Sequence, residues 1–155
     1  MSTTWLSIRD RERGRGVVIL SQGDRSRYCG RMNERQRFGA AAELRAQQHL
    51  LKHAWRLVGV NQRVGRGELD IVARKGGVLA FVEVKARRSA YYGAPEDAIT
   101  PRKQRQIARL AELWLGARPW ALTGVSDVRF DVIAVDLTQC PAQVRHLPAA
   151  FAWQR

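Results

Sequence analysis

Three carboxylates and one ammonium group are the residues in this chain best suited to do chemistry. Asp70 lies in Gly67-Glu68-Leu69-Asp70-Ile71-Val72-Ala73, and Glu83 and Lys85 lie in Leu79-Ala80-Phe81-Val82-Glu83-Val84-Lys85. Both stretches read as strands. Side chains alternate sides along a strand, so Asp70 shares a face with Glu68 and Val72, and Glu83 shares one with Phe81 and Lys85. Charges among such apolar neighbours are costly unless they are paired or hold a metal. The third acid, Glu43, sits upstream on a helical stripe that faces inward. This set suits hydrolysis of a phosphodiester, which needs an activated water and neutralisation of charge on the phosphorus oxygens. Mg²⁺ or Mn²⁺ supplies much of that and takes oxygen ligands. Asp70 and Glu83 are the expected metal ligands, with the backbone carbonyl of Val84 as a further one. Lys85 would orient or help deprotonate the water and stabilise transition-state charge. Glu43 would add a hydrogen bond or another ligand. The plain structural alternative is an ion pair of Lys85 with Glu83 or with Asp70.

The elements that must position these groups follow from periodicity. Residues 36–54 read as a helix, with Ala40, Ala46, Leu50, Leu51, Ala54 and Glu43 on one stripe. Trp55 to Gln62, Glu68 to Arg74 and Val78 to Ala86 read as three strands of an antiparallel meander. Lys75-Gly76-Gly77 forms the tight turn between the last two. Thr100 caps a second helix with Pro101 in its first turn. That helix runs to about Leu115 and turns Ile107, Leu110, Ala111 and Trp114 to the core. Val128 to Asp136 reads as a fourth strand, parallel to the third because a helix crosses between them. The expected fold class is therefore α/β, with a four-stranded mixed sheet flanked by helices. Residues 1–36 read as a flexible basic arm, 37–137 as the domain, and 138–155 as a tail without a clear period. Met32 is an expected alternative start of translation.

The chain has 155 residues, enough for one domain with a real core. Its 27 Lys and Arg against 14 Asp and Glu give a net charge of +13, which points to nucleic acid as the partner. Arg87, Arg88, Arg102, Lys103, Gln104, Arg105 and Arg109 are the expected nucleic-acid contacts. Of these, Lys103 and Gln104 sit near the inward edge of the second helix, where they could approach the scissile phosphate or form a solvated first turn. Tyr91 and Tyr92, in the loop after Arg88, could stack on an unpaired base or cover the sheet edge. Two widely spaced cysteines exclude a disulfide framework and suit a reducing cytoplasm. No apolar run is long enough for a membrane span. His49 and His53 have the spacing of a helical zinc pair but lack a third ligand in sequence, and they read as ordinary helix residues. Trp55, Trp114 and Trp120 read as core. Glu68 is expected to pair with Arg66. Asp131 is expected to face away from the site or to pair with an arginine.

Taken together, Phe38-Gly39 to Glu43, Asn61-Gln62-Arg63, Gly67 to Val72, Phe81 to Lys85 and Arg129-Phe130-Asp131-Val132-Ile133 resemble the PD-(D/E)xK nuclease superfamily. Within it the chain is similar to the YraN-like bacterial family, related to archaeal Holliday junction resolvases. Leu69 stands where the superfamily motif has proline. The resemblance covers about residues 36–137 and implies a restriction-endonuclease-like αβββαβ core. It also implies a metal-dependent endonuclease acting on DNA, including branched or recombination intermediates. The implied catalytic residues are Glu43, Asp70, Glu83 and Lys85, with metal on the two strand acids. Pairing of two sites across a junction, as in related resolvases, implies a homodimer. A second reading keeps the fold and the charge but not the catalysis: a nucleic-acid-binding module.

Overall fold

Continuous apolar runs build the central strands of a five-stranded sheet, and two amphipathic helices cover its faces. The structure is a computed structural model and describes residues 34–87 and 99–153. Helix α1 spans Glu34–Lys52 and is followed by β1 (Arg56–Val64), β2 (Gly67–Lys75) and β3 (Val78–Arg87). Helix α2 (Pro101–Gly116) leads through a short 3₁₀ turn to β4 (Asp127–Asp136) and β5 (Gln143–Phe151). The strands lie side by side in the order β1-β2-β3-β4-β5. All neighbours are antiparallel except β3 and β4, which run parallel, as a helical crossover requires. Among the described residues, no helix is long and apolar enough to cross a membrane.

Each face of the sheet carries its own core. Leu79 and Phe81 of β3 point to one face, with Val72, Phe130 and Val132, against Ile107, Leu110, Ala111 and Trp114 of α2. Ala80 and Val82 point to the other, with Ile71, Ile133 and Val135, against Ala42, Ala46 and Leu50 of α1. Thr100 Oγ1 accepts from the Lys103 amide and so caps α2. Gly76 takes φ +57° in the β2–β3 turn, a conformation that glycine adopts without Cβ strain. At Gly59 a Cβ would meet Gln62 Cγ at 2.7 Å, and this close approach lets Gln62 Oε1 accept from Trp114 Nε1 at 3.4 Å.

Four expectations are corrected. The sheet has five strands, not four, because the segment expected as a tail supplies β5. Its alternation is masked by Pro148, by positive φ at Ala149 and by a register shift opposite Phe130/Val132. Proline is tolerated there because β5 is an edge strand. Helix α1 begins at Glu34, inside the expected arm. Its buried stripe is Ala42, Ala46 and Leu50, whereas Ala40, Leu51 and Ala54 are exposed. Alanines on several faces of α1 left the phase of the stripe ambiguous in sequence. Trp120 is 58% exposed and is not core, unlike Trp55 and Trp114. The rest of the arm, Arg88, Tyr91 and Tyr92 lie outside the described residues.

Candidate active site

The candidate residues gather where β2 and β3 part. The β2–β3 ladder runs from Lys75↔Val78 to Ile71↔Val82 and stops there. One step further, Asp70 would stand opposite Glu83. Instead of continuing the ladder, Asp70 Oδ2 accepts the Val84 backbone N–H at 2.8 Å. The side chain thus takes the place of a strand partner and satisfies an amide that the diverging strands leave behind. In an extended strand the N–H and C=O of one residue point toward the same neighbour. The Val84 carbonyl therefore opens toward β2, on Asp70's side.

Glu83 continues the row of Leu79 and Phe81, which places it on the α2 face of the sheet, and it is buried. Two ammonium groups hold it there. Lys85 Nζ lies 2.8 Å from Glu83 Oε1, and Lys103 Nζ, from the first turn of α2, lies 3.2 Å from the same oxygen. Lys103 thus sits at the centre of the cluster, whereas Arg102, Arg105 and Arg109 are exposed along α2. Gln104 turns inward and its Nε2 donates to the Ile99 carbonyl at 3.1 Å, bracing the start of the helix. Arg87 ends β3 and is half-buried. Glu68 is exposed at the start of β2.

Burial and charge act on Asp70 together. Desolvation first and the charge of Glu83 second push its carboxyl up, and the net rise is from 3.8 to about 6. The Val84 N–H and the Lys103 ammonium pull the other way, and half-buried Glu43 pushes it further up. Glu43 therefore lies within electrostatic reach of Asp70. Among the described residues no three His, Cys, Asp or Glu side chains group closely enough to hold a metal by themselves. The donors at this place are two strand carboxylates and a backbone carbonyl, all oxygen, which matches the preference of Mg²⁺ or Mn²⁺.

Asp131 is fully buried on the opposite, α1 face of the sheet and takes no part in this cluster. It accepts from Arg129 at 2.9 and 3.2 Å, from His146 Nε2 at 2.8 Å and from the Ala149 amide at 3.0 Å. These partners hold its carboxyl below the usual range despite the opposing effect of burial. The arginine pairing was legible, since an acid in an apolar strand demands a partner. The histidine was not, because His146 lies on the unrecognised β5.

The chain belongs to the family described as uncharacterised protein family UPF0102, whose profile matches residues 42–135. A UPF0102 protein of Geobacter sulfurreducens is 44% identical over 116 residues, covering 73% of this chain and 87% of that protein. One from Geobacter metallireducens is 42% identical over 113 residues, covering 73% and 90%. One from Nocardia farcinica is 40% identical over 124 residues, covering 78% and 94%. The solved structure of Pyrococcus furiosus SfsA in complex with Ca²⁺ overlaps 74% of this chain and 63% of that chain, with 12% identity and a TM-score of 0.33. That overlap is too loose to define a shared fold.

Proposed function

We propose that this chain is a Mg²⁺- or Mn²⁺-dependent endonuclease of the PD-(D/E)xK type that hydrolyses phosphodiester bonds in DNA. One observation carries the reading: Asp70 is held beside Glu83 in a partly buried place where its ionisation is disfavoured. A divalent cation would relieve that cost, and stability alone gives no reason to accept it. Asp70, Glu83 and the Val84 carbonyl would hold the ion. Once bound, it would supply Lewis-acid neutralisation of a phosphoryl oxygen and a more acidic water. Lys85 is fixed by its bond to Glu83 and presents an ammonium to the attacking water and to the charge that develops on phosphorus. Lys103 places a second ammonium where a phosphate oxygen would lie. Glu43 biases the field toward a cation. The exposed Arg102, Arg105 and Arg109 give the α2 surface a row of phosphate contacts. Branched DNA fits this reading as a substrate, and a dimer would present two such sites.

The experiment is cleavage of duplex, flap and four-way-junction DNA with Mg²⁺ or Mn²⁺, with Asp70→Ala and Lys85→Ala alongside. Metal-dependent cleavage by the wild type that both variants lose is the expected result. Cleavage that survives Asp70→Ala removes Asp70 from the metal site. One specific observation favours the second reading, a DNA-binding module without catalysis: Lys85 and Lys103 already neutralise Glu83 without an ion. Salt-sensitive DNA binding with no cleavage of any substrate would establish that reading.

A further inference from the structure

The chain has three histidines, and all three line one cavity at the other end of the sheet. The cavity measures about 780 Å³ and opens between the C-terminus of α1, the β2–β3 turn and β5. It begins beside Val78, whereas the candidate active site lies at Glu83 to Lys85, about 17–23 Å further along β3 at strand spacing. His49, His53 and His146 share its wall with Lys75, Arg129 and Arg145. None of the lining residues is acidic. We infer that this cavity is a binding site for a phosphate-bearing ligand of up to mononucleotide size.

Among the described residues, the acids close to this wall are Asp131 and, at the start of β4 in register with Val78, Asp127, and neither lines the cavity. Asp131 is fully buried and already accepts from Arg129, His146 and the Ala149 amide. Arg129 is also fixed over the Trp55 ring at 5.2 Å. Lys75 Nζ spends one of its three N–H donors on the His53 carbonyl at 3.0 Å and keeps two for a ligand. The negative end of the α1 dipole faces this region, and the His49, Leu50 and Leu51 carbonyls there accept hydrogen bonds. His53 Nδ1 and the His53 amide donate to His49 O, the Trp55 amide to Leu50 O, and the Ala54 amide to Leu51 O. Burial first, and then His53, His146 and Lys52 beside it, hold the His49 imidazole below its ordinary value. His49 and His53 ring centroids lie 4.2 Å apart, and His49 and His146 lie 5.8 Å apart, so the three imidazoles form one cluster in the wall. The volume falls within the usual range for small-molecule sites, and Val78 and Val144 add an apolar surface for the rest of a ligand.

Because the chain has no other histidine, imidazole proton resonances in the full-length protein read this cavity alone. We expect inorganic phosphate and dAMP, titrated at constant ionic strength, each to move all three imidazoles along one saturable curve. Tighter binding of dAMP assigns the site to a nucleotide, and equal binding assigns it to phosphate itself. Lys75→Met, at an exposed position, should weaken either on the order of tenfold by removing a charge-assisted hydrogen bond. No saturable shift, the same shift with chloride, or affinity unchanged by Lys75→Met would overturn the inference. So would saturation by Zn²⁺ with no response to phosphate. None of these outcomes depends on whether the chain cleaves DNA.

Discussion

Replacing Asp70 by asparagine should make the protein more stable, and the gain should depend on pH. The carboxyl titrates at about 6 in the native state against 3.8 when unperturbed, so the native chain binds a proton more tightly than the unfolded chain. Between those values the native state keeps a proton that the unfolded state has lost. Stability therefore falls as pH rises through this window and stays reduced above it. The difference corresponds to about 3 kcal/mol, and partial solvent access to Asp70 reduces the expected effect to about 1–3 kcal/mol. Asparagine keeps an oxygen for the Val84 N–H, found 2.8 Å from Asp70 Oδ2, and places no charge beside Glu83. Thermal unfolding at neutral pH should thus show Asp70→Asn melting roughly 3–10 °C above wild type. The gap should close as pH falls below 3.8. Mg²⁺ at about ten times its Kd should add about 1.4 kcal/mol to the wild type and nothing to the variant. A variant that is less stable than wild type at neutral pH, or a gap that ignores pH, would refute the electrostatic argument.

Three further outcomes follow from other parts of the structure. Lys103→Met removes an ammonium 3.2 Å from Glu83, so Mg²⁺ should bind several-fold tighter by calorimetry while DNA binds more weakly. Asp131→Asn leaves Arg129 and His146 without their anion and should cost about 3 kcal/mol or more in denaturant unfolding at neutral pH. Because the Asp131 carboxyl is held below 3.8, its contribution is present above that pH and lost as acid takes the solution through the native value. The wild type should therefore lose its advantage over the variant only in strong acid. Arg105→Ala should weaken DNA binding equally across sequences and lower the salt slope by about one if it contacts one phosphate. An unchanged slope removes Arg105 from the interface.

The parts legible in sequence were those with a strong local period or an expensive residue. Val78 to Ala86 announced itself as a strand by branched and aromatic residues, and Thr100-Pro101 announced the start of α2. Glu83 and Asp131 stood out because acids in apolar strands require partners. The parts that stayed hidden depend on contacts between distant segments. The sequence placed Lys103 at the inward edge of α2, but nothing local tells that its ammonium reaches Glu83, or that the Val144 to Leu147 region pairs with β4 and delivers His146 to Asp131. The phase of α1 failed because alanine marks several faces of that helix, so periodicity alone could not choose among them. Small residues carry little hydrophobic signal even when, like Ala42 and Ala46, they are completely covered.

The parting of β2 from β3 ties local structure to the chemistry of the site. A ladder that ends inside a sheet leaves an amide without its strand partner, and a buried amide needs an acceptor. Any residue with a side-chain oxygen at position 70 could serve the Val84 N–H, and asparagine would do so at no electrostatic cost. Aspartate is the expensive choice, because it brings a second anion toward Glu83 in a place that water reaches only partly. Lys85 and Lys103 compensate Glu83, yet burial and the Glu83 charge still outweigh what Lys103 and the Val84 N–H give to Asp70. The fold requires the hydrogen bond, but it does not require the charge. That separation makes Asp70→Asn decisive: it preserves what the sheet needs and removes only what a bound cation would need.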